Sequence, residues 1–140
     1  DADNVPHYPE WRITFTEHTT SGIVRNTVSV DIDTAGRVAA VFFGIRGEVS
    51  DEELDSGEYI PEATAVSLAL EQFAAEGHGV DLEHFTVTAT LRESKGTVCW
   101  MLYFEENKNP DGGYAFAWQQ CYWMVLDASS GAWISTSVGR

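Results

Sequence analysis

The chain has 140 residues, enough for one ordinary domain, and its hydrophobic content of 44% predicts a folded globular protein. Its 22 acidic residues outnumber the 8 Lys and Arg, so the formal net charge is −14 at pH 7. This charge repels phosphate groups, which argues against a nucleic-acid partner or a basic membrane-binding patch and favours basic partners. The sequence also lacks an apolar run of about 18 residues, so no membrane insertion is expected.

Residues 1–46 are predicted to form a three-stranded antiparallel half-repeat. The segment "WRITFTEHTT" alternates apolar and polar residues, which places Trp11, Ile13 and Phe15 on one face of a strand. "TVSVDID" alternates in the same way, "DTAG" is a turn signal, and "RVAAVFFG" supplies a third strand. We therefore expect a meander with one apolar face and assign Trp11 to the core.

An acidic stretch and a helix follow. Residues 47–58, within "GIRGEVSDEELDSGE", are interpreted as a solvated acidic linker. "YIPEATAVSLALEQFAAEG" predicts a helix, because Pro61 suits a first turn and Gly77 suits a stop. Its buried stripe is predicted to comprise Val66, Ala69, Leu70 and Phe73.

Residues 59–140 are predicted to place this helix on a four-stranded antiparallel sheet. The strands are "HFTVTATL", "TVCWMLYF", the end of "YAFAWQQCYWMVLD", and "AWISTSV", with turn residues at each break. The predicted fold class is therefore α+β: a helix packed on a four-stranded antiparallel sheet, preceded by a three-stranded antiparallel meander.

The two halves show matching strand patterns, which indicate an internal repeat. The first matched strand pairs Trp11, Ile13 and Phe15 with Trp100, Leu102 and Phe104. The second matches Val28, Val30, Ile32 and Asp33 with Tyr122, Met124, Leu126 and Asp127, and Gly36 with Gly131. Chance recurrence of an alternating pattern is the alternative explanation.

The repeat predicts two faces for the second sheet. Trp100, Leu102 and Phe104 share the helix-covered face with the even-numbered residues Tyr122 to Leu126. The other face is the candidate interaction face: Cys99, Met101, Tyr103, Cys121, Trp123 and Val125. This second face is also apolar, so either the first half or a continuation of the sheet covers it, or it binds a partner.

The two cysteines lie on this candidate face. Cys99 and Cys121 would be opposite each other if the hairpin turned near Pro110 and Asp111, which makes them a candidate disulfide. Two buried free thiols are the favoured interpretation, and the disulfide is the alternative. A homodimer through the apolar face is a further option.

No reaction centre is predicted. The four histidines show no metal-ligand spacing, and no nucleophile or nucleotide-binding motif occurs, so we assign no catalytic residues, no metal and no cofactor. "NKNPDGG" and "DEELDSGEYIPE" each depart from the ligand spacing of a calcium loop and are interpreted as solvated loops.

The segment from Ile60 to Val138 resembles the PepSY and PepSY-like domain family. The resemblance lies in the helix "IPEATAVSLAL", the strand ending "VTATL", then "CWMLYF", then "YWMVLDASSGAW" with Asp127 and Gly131. Residues 8–46 resemble the sheet of a degenerate second copy. The resemblance implies a secreted or surface-anchored, non-catalytic module that inhibits or regulates a peptidase or acts in the bacterial envelope.

The expected function is therefore a non-enzymatic, extracytoplasmic protein-interaction module with a peptidase or envelope regulator as its partner. The absence of an initiator Met in "DADNVPHYPE" favours removal of an N-terminal signal or anchor. The alternative is a small-ligand or carbohydrate-binding domain that uses exposed aromatic residues, since Trp118, Trp123 and Trp133 are not all assigned to the core.

Overall fold

The computed structural model describes residues 11–44 and 47–139, which form seven strands and two helices. The elements are β1 Trp11–His18, β2 Val24–Ile32, β3 Val38–Phe43, α1 Asp51–Asp55, α2 Glu62–Ala75, β4 Phe85–Ser94, β5 Thr97–Glu106, β6 Cys121–Asp127 and β7 Trp133–Gly139. All seven strands belong to one sheet with the order β1-β2-β4-β5-β6-β7, and β3 pairs with β2.

The predicted fold class is wrong. The described chain is mostly β, and its strands form one mixed sheet instead of a four-stranded antiparallel sheet with a separate meander. Val24 of β2 pairs in parallel with Arg92 of β4, while the other strand pairs are antiparallel. Because β3 pairs only with the later part of β2, the start of β2 keeps backbone groups that β4 can satisfy.

Helix α2 covers one face of β4, β5 and β6. The Phe73 ring packs edge-on against Phe104 and Tyr122, at centroid distances of 5.2 and 5.5 Å. The Trp100 indole donates a 2.9 Å hydrogen bond to the Ile60 carbonyl just before the helix. The side chains of α2 that are buried here are Ala65, Val66, Ala69 and Phe73. Leu70, predicted for this stripe, is only partly buried.

The acidic segment predicted as a linker contains α1 and contributes to the core. Ser50 caps this short helix by accepting a hydrogen bond from the Glu53 backbone N–H, and Leu54 is buried. Arg25 of β2 reaches the same segment, where its buried guanidinium pairs with Asp51 at 2.5 Å. The guanidinium also donates to the carbonyls of Gly47 and Val49. This contact joins the first three strands to the rest of the molecule.

Strands β1–β3 and β5–β7 have equivalent pairings. The residues that match in sequence also match in register, so Trp11 opposes Ile32 as Trp100 opposes Leu126. The third strand of each set carries a bulge at the equivalent place. Its register against the central strand shifts between Asp31 and Ile32 in the first set and between Val125 and Leu126 in the second. These shared irregularities support the internal repeat, because alternation alone would not reproduce a bulge at the same position.

Candidate interaction surfaces

The face of β5 and β6 that points away from α2 carries four apolar or aromatic side chains, which we call the open face: Met101, Tyr103, Trp123 and Val125. Tyr103 pairs with Trp123, and Met101 pairs with Val125 across the two strands. These pairings agree with the predicted sharing of faces. The open face also includes a shallow depression of about 220 Å³, lined in part by Thr88, Thr90 and Arg92 of β4.

The aromatic pair at the centre of the open face is held by its neighbours. The Tyr103 and Trp123 rings lie 5.0 Å apart between centroids, with an interplanar angle of 30°. The Trp123 indole lies over the backbone of Gly139 on β7, where an added Cβ would be 2.4 Å from a ring carbon. A side chain at position 139 would therefore displace the indole.

The Tyr103 hydroxyl points along the open face and donates a 3.2 Å hydrogen bond to the Cys121 sulfur. This hydrogen bond, together with partial burial, raises the pKa of Tyr103 to about 12. The phenol therefore stays neutral at physiological pH and presents an aromatic face with a polar edge.

The open face is accessible to solvent within the described part of the chain. Met101 is 37% exposed and Trp123 is 40% exposed. Strands β1 to β3 continue the sheet beyond β4 by edge pairing, so they extend beside the open face instead of covering it. The open face is therefore accessible to a binding partner.

The candidate disulfide is absent, and the two cysteines are the free thiols that the sequence analysis favoured. Cys99 lies opposite Asp127 and Cys121 lies opposite Glu105, so the two cysteines are six positions apart along the hairpin, and both are free. The connection over residues 107–120 is centred later than the turn near Pro110 that the prediction assumed. Cys99 is buried, which raises the pKa of its thiol, and it does not contribute to the exposed surface.

A second apolar surface lies on the first three strands; the sequence analysis predicted this apolar face but not its exposure to solvent. We call it the meander face: Trp11, Ile13, Phe15, Val28, Val30, Ile32, Val41 and Phe43. The assignment of Trp11 to the core is wrong, because Trp11 is 65% exposed, Phe15 is 63% exposed and Phe43 is 75% exposed. One signal was present in the sequence: two apolar sheet faces were predicted, but only one long amphipathic helix was available to cover them.

The opposite side of the same strands is polar and internally paired. Arg12 forms a bidentate pair with Asp31, with distances of 2.6 and 2.8 Å, and lies over the Phe42 ring. Hydrogen bonding to Arg12 lowers the pKa of the Asp31 carboxyl. The meander face is therefore the side of these strands whose apolar side chains are left exposed by the described part of the chain.

The remaining sequence candidates lie apart from both faces. Trp118 lies in the connection between β5 and β6, and Trp133 lies beside α2, where it lines a shallow depression with Leu68 and Gln72. Within residues 11–44 and 47–139, no group of three or more His, Cys, Asp or Glu side chains is placed to hold a metal ion. Neither described helix is long and apolar enough to cross a membrane.

Comparisons with known proteins add no family assignment. No protein-family model matches this chain, and a search among curated proteins finds no match. The resemblance to PepSY-like domains therefore stays a prediction from the sequence pattern.

Proposed function

We propose that this chain is a non-enzymatic, extracytoplasmic protein-interaction module that binds a peptidase or an envelope regulator through the open face. The resemblance to PepSY-like domains supports the module class and the location. The single structural observation that supports the binding role is the cluster formed by exposed Met101 and Trp123 with half-buried Tyr103, on the side of the sheet opposite α2.

The chemistry of this cluster suits a protein partner. Tyr, Trp and Met are enriched in protein interfaces. Tyr and Trp have few rotatable bonds and lose little side-chain entropy on binding, while the flexible Met side chain adapts to the partner surface. Tyr103 and Trp123 are already positioned against each other, and the Trp123 indole packs against Gly139, which reduces the cost of ordering both side chains. The threonines of β4 provide a polar border next to them.

A carbohydrate ligand is the second candidate. The adjacent Tyr103 and Trp123 rings form an aromatic surface, and the Thr88 and Thr90 hydroxyls line the same depression. Aromatic rings stack on the apolar side of a sugar ring, while hydroxyl groups hydrogen-bond its edges.

The test compares two variants. The wild-type chain, Trp123→Ser and the control Phe116→Ser, which changes an exposed aromatic residue on the loop between β5 and β6, are immobilised and exposed to a cell-envelope extract. We expect a protein that is retained by the wild type and by Phe116→Ser but is lost from Trp123→Ser. Its affinity for the purified chain is then measured by calorimetry, and removal of the indole is expected to weaken binding by about 2 kcal/mol or more.

Two results would contradict the proposal. Equal retention by Trp123→Ser and Phe116→Ser would show that the open face is not the binding surface. Saturable binding of an oligosaccharide from a glycan panel, lost only in Trp123→Ser, would favour the carbohydrate function instead.

A further inference from the structure

The internal repeat provides a template for what belongs on the meander face. The turn after the central strand begins in a similar way in both copies, although its glycine comes one residue later in the second: the carboxylates of Asp33 and Asp127 each accept two backbone N–H groups. Gly36 and Gly131 then adopt positive φ values of 76° and 75°. With the shared registers and bulges, these features make β1–β3 and β5–β7 two copies of one structural unit.

The two copies differ in what covers them. In the second copy, Trp100 and Phe104 are 7% and 0% exposed, because α2 packs on that face. The equivalent residues in the first copy, Trp11 and Phe15, are 65% and 63% exposed, and no described helix reaches them. The meander face therefore has the pattern of a helix-covered sheet without the helix.

The edge of the first copy is open as well. Strand β5 is paired along its whole length with β4, whereas the equivalent strand β1 pairs only with β2 among the described strands. Within the part of the chain that the structure describes, β1 is therefore an edge strand, and another strand can extend such an edge. Among the described residues, the first copy therefore has neither a helix on its apolar face nor a second strand beside β1. In the second copy these two places are taken by α2 and β4, which follow each other in the chain as one helix–strand unit.

We propose that the meander face and the β1 edge together bind a helix–strand segment of a partner polypeptide, whose helix takes the position that α2 takes on the second copy. The α2–β4 unit over residues 62–94 indicates the length of segment that would fill the same place on the first copy. A second copy of the chain cannot donate its own unit without exposing Ala69 and Phe73, which are fully buried. This surface is separate from the open face, so the inference does not depend on the function proposed above.

The template also indicates the chemistry of the partner helix. The side chains with which α2 contacts the sheet are mostly small and aliphatic with one aromatic, namely Ala65, Val66, Ala69 and Phe73. We expect a helix with a similar narrow apolar stripe, since small residues allow the helix to approach the sheet closely. The net charge of −14 favours Lys and Arg on the outer side of that helix.

The test uses the full 140-residue chain and a synthetic peptide of residues 60–95, which reproduces the α2–β4 unit and contains no Trp. Hydrogen exchange monitors the β1 amides, and tryptophan emission monitors the burial of Trp11. We expect saturable binding, slower exchange along β1 and a blue shift of the emission. The added strand would pair with β1, and the added helix would cover Trp11 on the meander face.

Two variants make the result specific. Phe15→Asp places a charge on the meander face and is expected to weaken binding by about tenfold or more. Phe42→Asp makes the same change at an exposed residue on the opposite side of the strands and is expected to leave binding unchanged. Both positions are more than half exposed, so circular dichroism is expected to show that both variants fold.

Three outcomes would overturn the inference. No protection of the β1 amides at saturating peptide would show that the face does not accept such a unit. Binding that survives Phe15→Asp would place the peptide elsewhere. Concentration-dependent self-association of the chain alone, abolished by Phe15→Asp, would assign the face to a second copy of this chain.

Discussion

Tyr103 and Cys121 form the most unusual polar contact on the open face. Their hydrogen bond of 3.2 Å lies on an apolar surface, and it is the largest cause of the raised pKa of Tyr103. A raised pKa means that the folded state holds the phenolic proton more tightly than the unfolded chain does. The stability that this contributes is fully present below the unfolded pKa of 10.0 and is lost as the pH rises toward about 12.

The first prediction concerns this contact. Cys121→Ala removes the sulfur acceptor, so the pKa of Tyr103 should fall toward the ordinary value of 10.0. Ultraviolet absorption of the phenolate, followed during a pH titration, measures the change. Cys99→Ala is the control, since Cys99 lies opposite Asp127 and does not contact Tyr103. Identical titration curves for Cys121→Ala and the wild type would show that the hydrogen bond is not the cause.

At the scale of elements, identical pairing in the two copies does not lead to identical burial. Phe104 on β5 is covered by Phe73 of α2, while Phe15 occupies the matching position on β1 with no helix above it. A buried phenyl ring contributes through both water exclusion and close packing, whereas an exposed ring contributes little. The stability of the described chain therefore comes mainly from the second copy.

The second prediction compares these two positions. Phe104→Ala should reduce the free energy of unfolding by about 3–5 kcal/mol, because it leaves a cavity under α2. Phe15→Ala should reduce it by about 1 kcal/mol or less, as for a surface substitution. Urea denaturation measures both. If the two losses were equal, the meander face would have to be covered in solution.

At the scale of the whole molecule, Arg25 links the first copy to the segment that precedes α2. Its side chain is fully buried, and it binds Asp51 and the carbonyls of Gly47 and Val49 across the start of α1. The pairing of Val24 with Arg92 joins the same strand, β2, to β4 through the sheet. Together these contacts explain why the first three strands extend the second sheet at a defined position.

The third prediction tests this link. Arg25→Met should reduce the free energy of unfolding by about 2–4 kcal/mol, because buried carbonyls lose their donor. Hydrogen exchange should accelerate in β1 to β3 more than in β5 and β6. Arg37→Met is the matched control, since the Arg37 side chain is 78% exposed. Uniform acceleration across all strands would show that Arg25 supports the whole fold and does not specifically link the copies.

Local patterns were sufficient for the strands, for α2 and for the residues that share a face, but not for α1, which lies in the segment predicted as a linker. Alternation placed Trp100, Leu102 and Phe104 together, and the observed register agrees. The helix signals located α2, and the positive φ of Gly77 follows its end. Such signals are local, because side-chain period and turn chemistry depend on neighbours in the chain.

Tertiary structure decided how the two copies join, where Cys99 and Cys121 lie, and whether Trp11 is buried. Strand joining depends on which backbone edges stay free, and hairpin register depends on the geometry of the connection over residues 107–120. Burial depends on what lies above a face. The apolar stripe of Trp11, Ile13 and Phe15 predicts that this face would be buried. Only the fold shows that α2 packs on the other copy and leaves this face exposed.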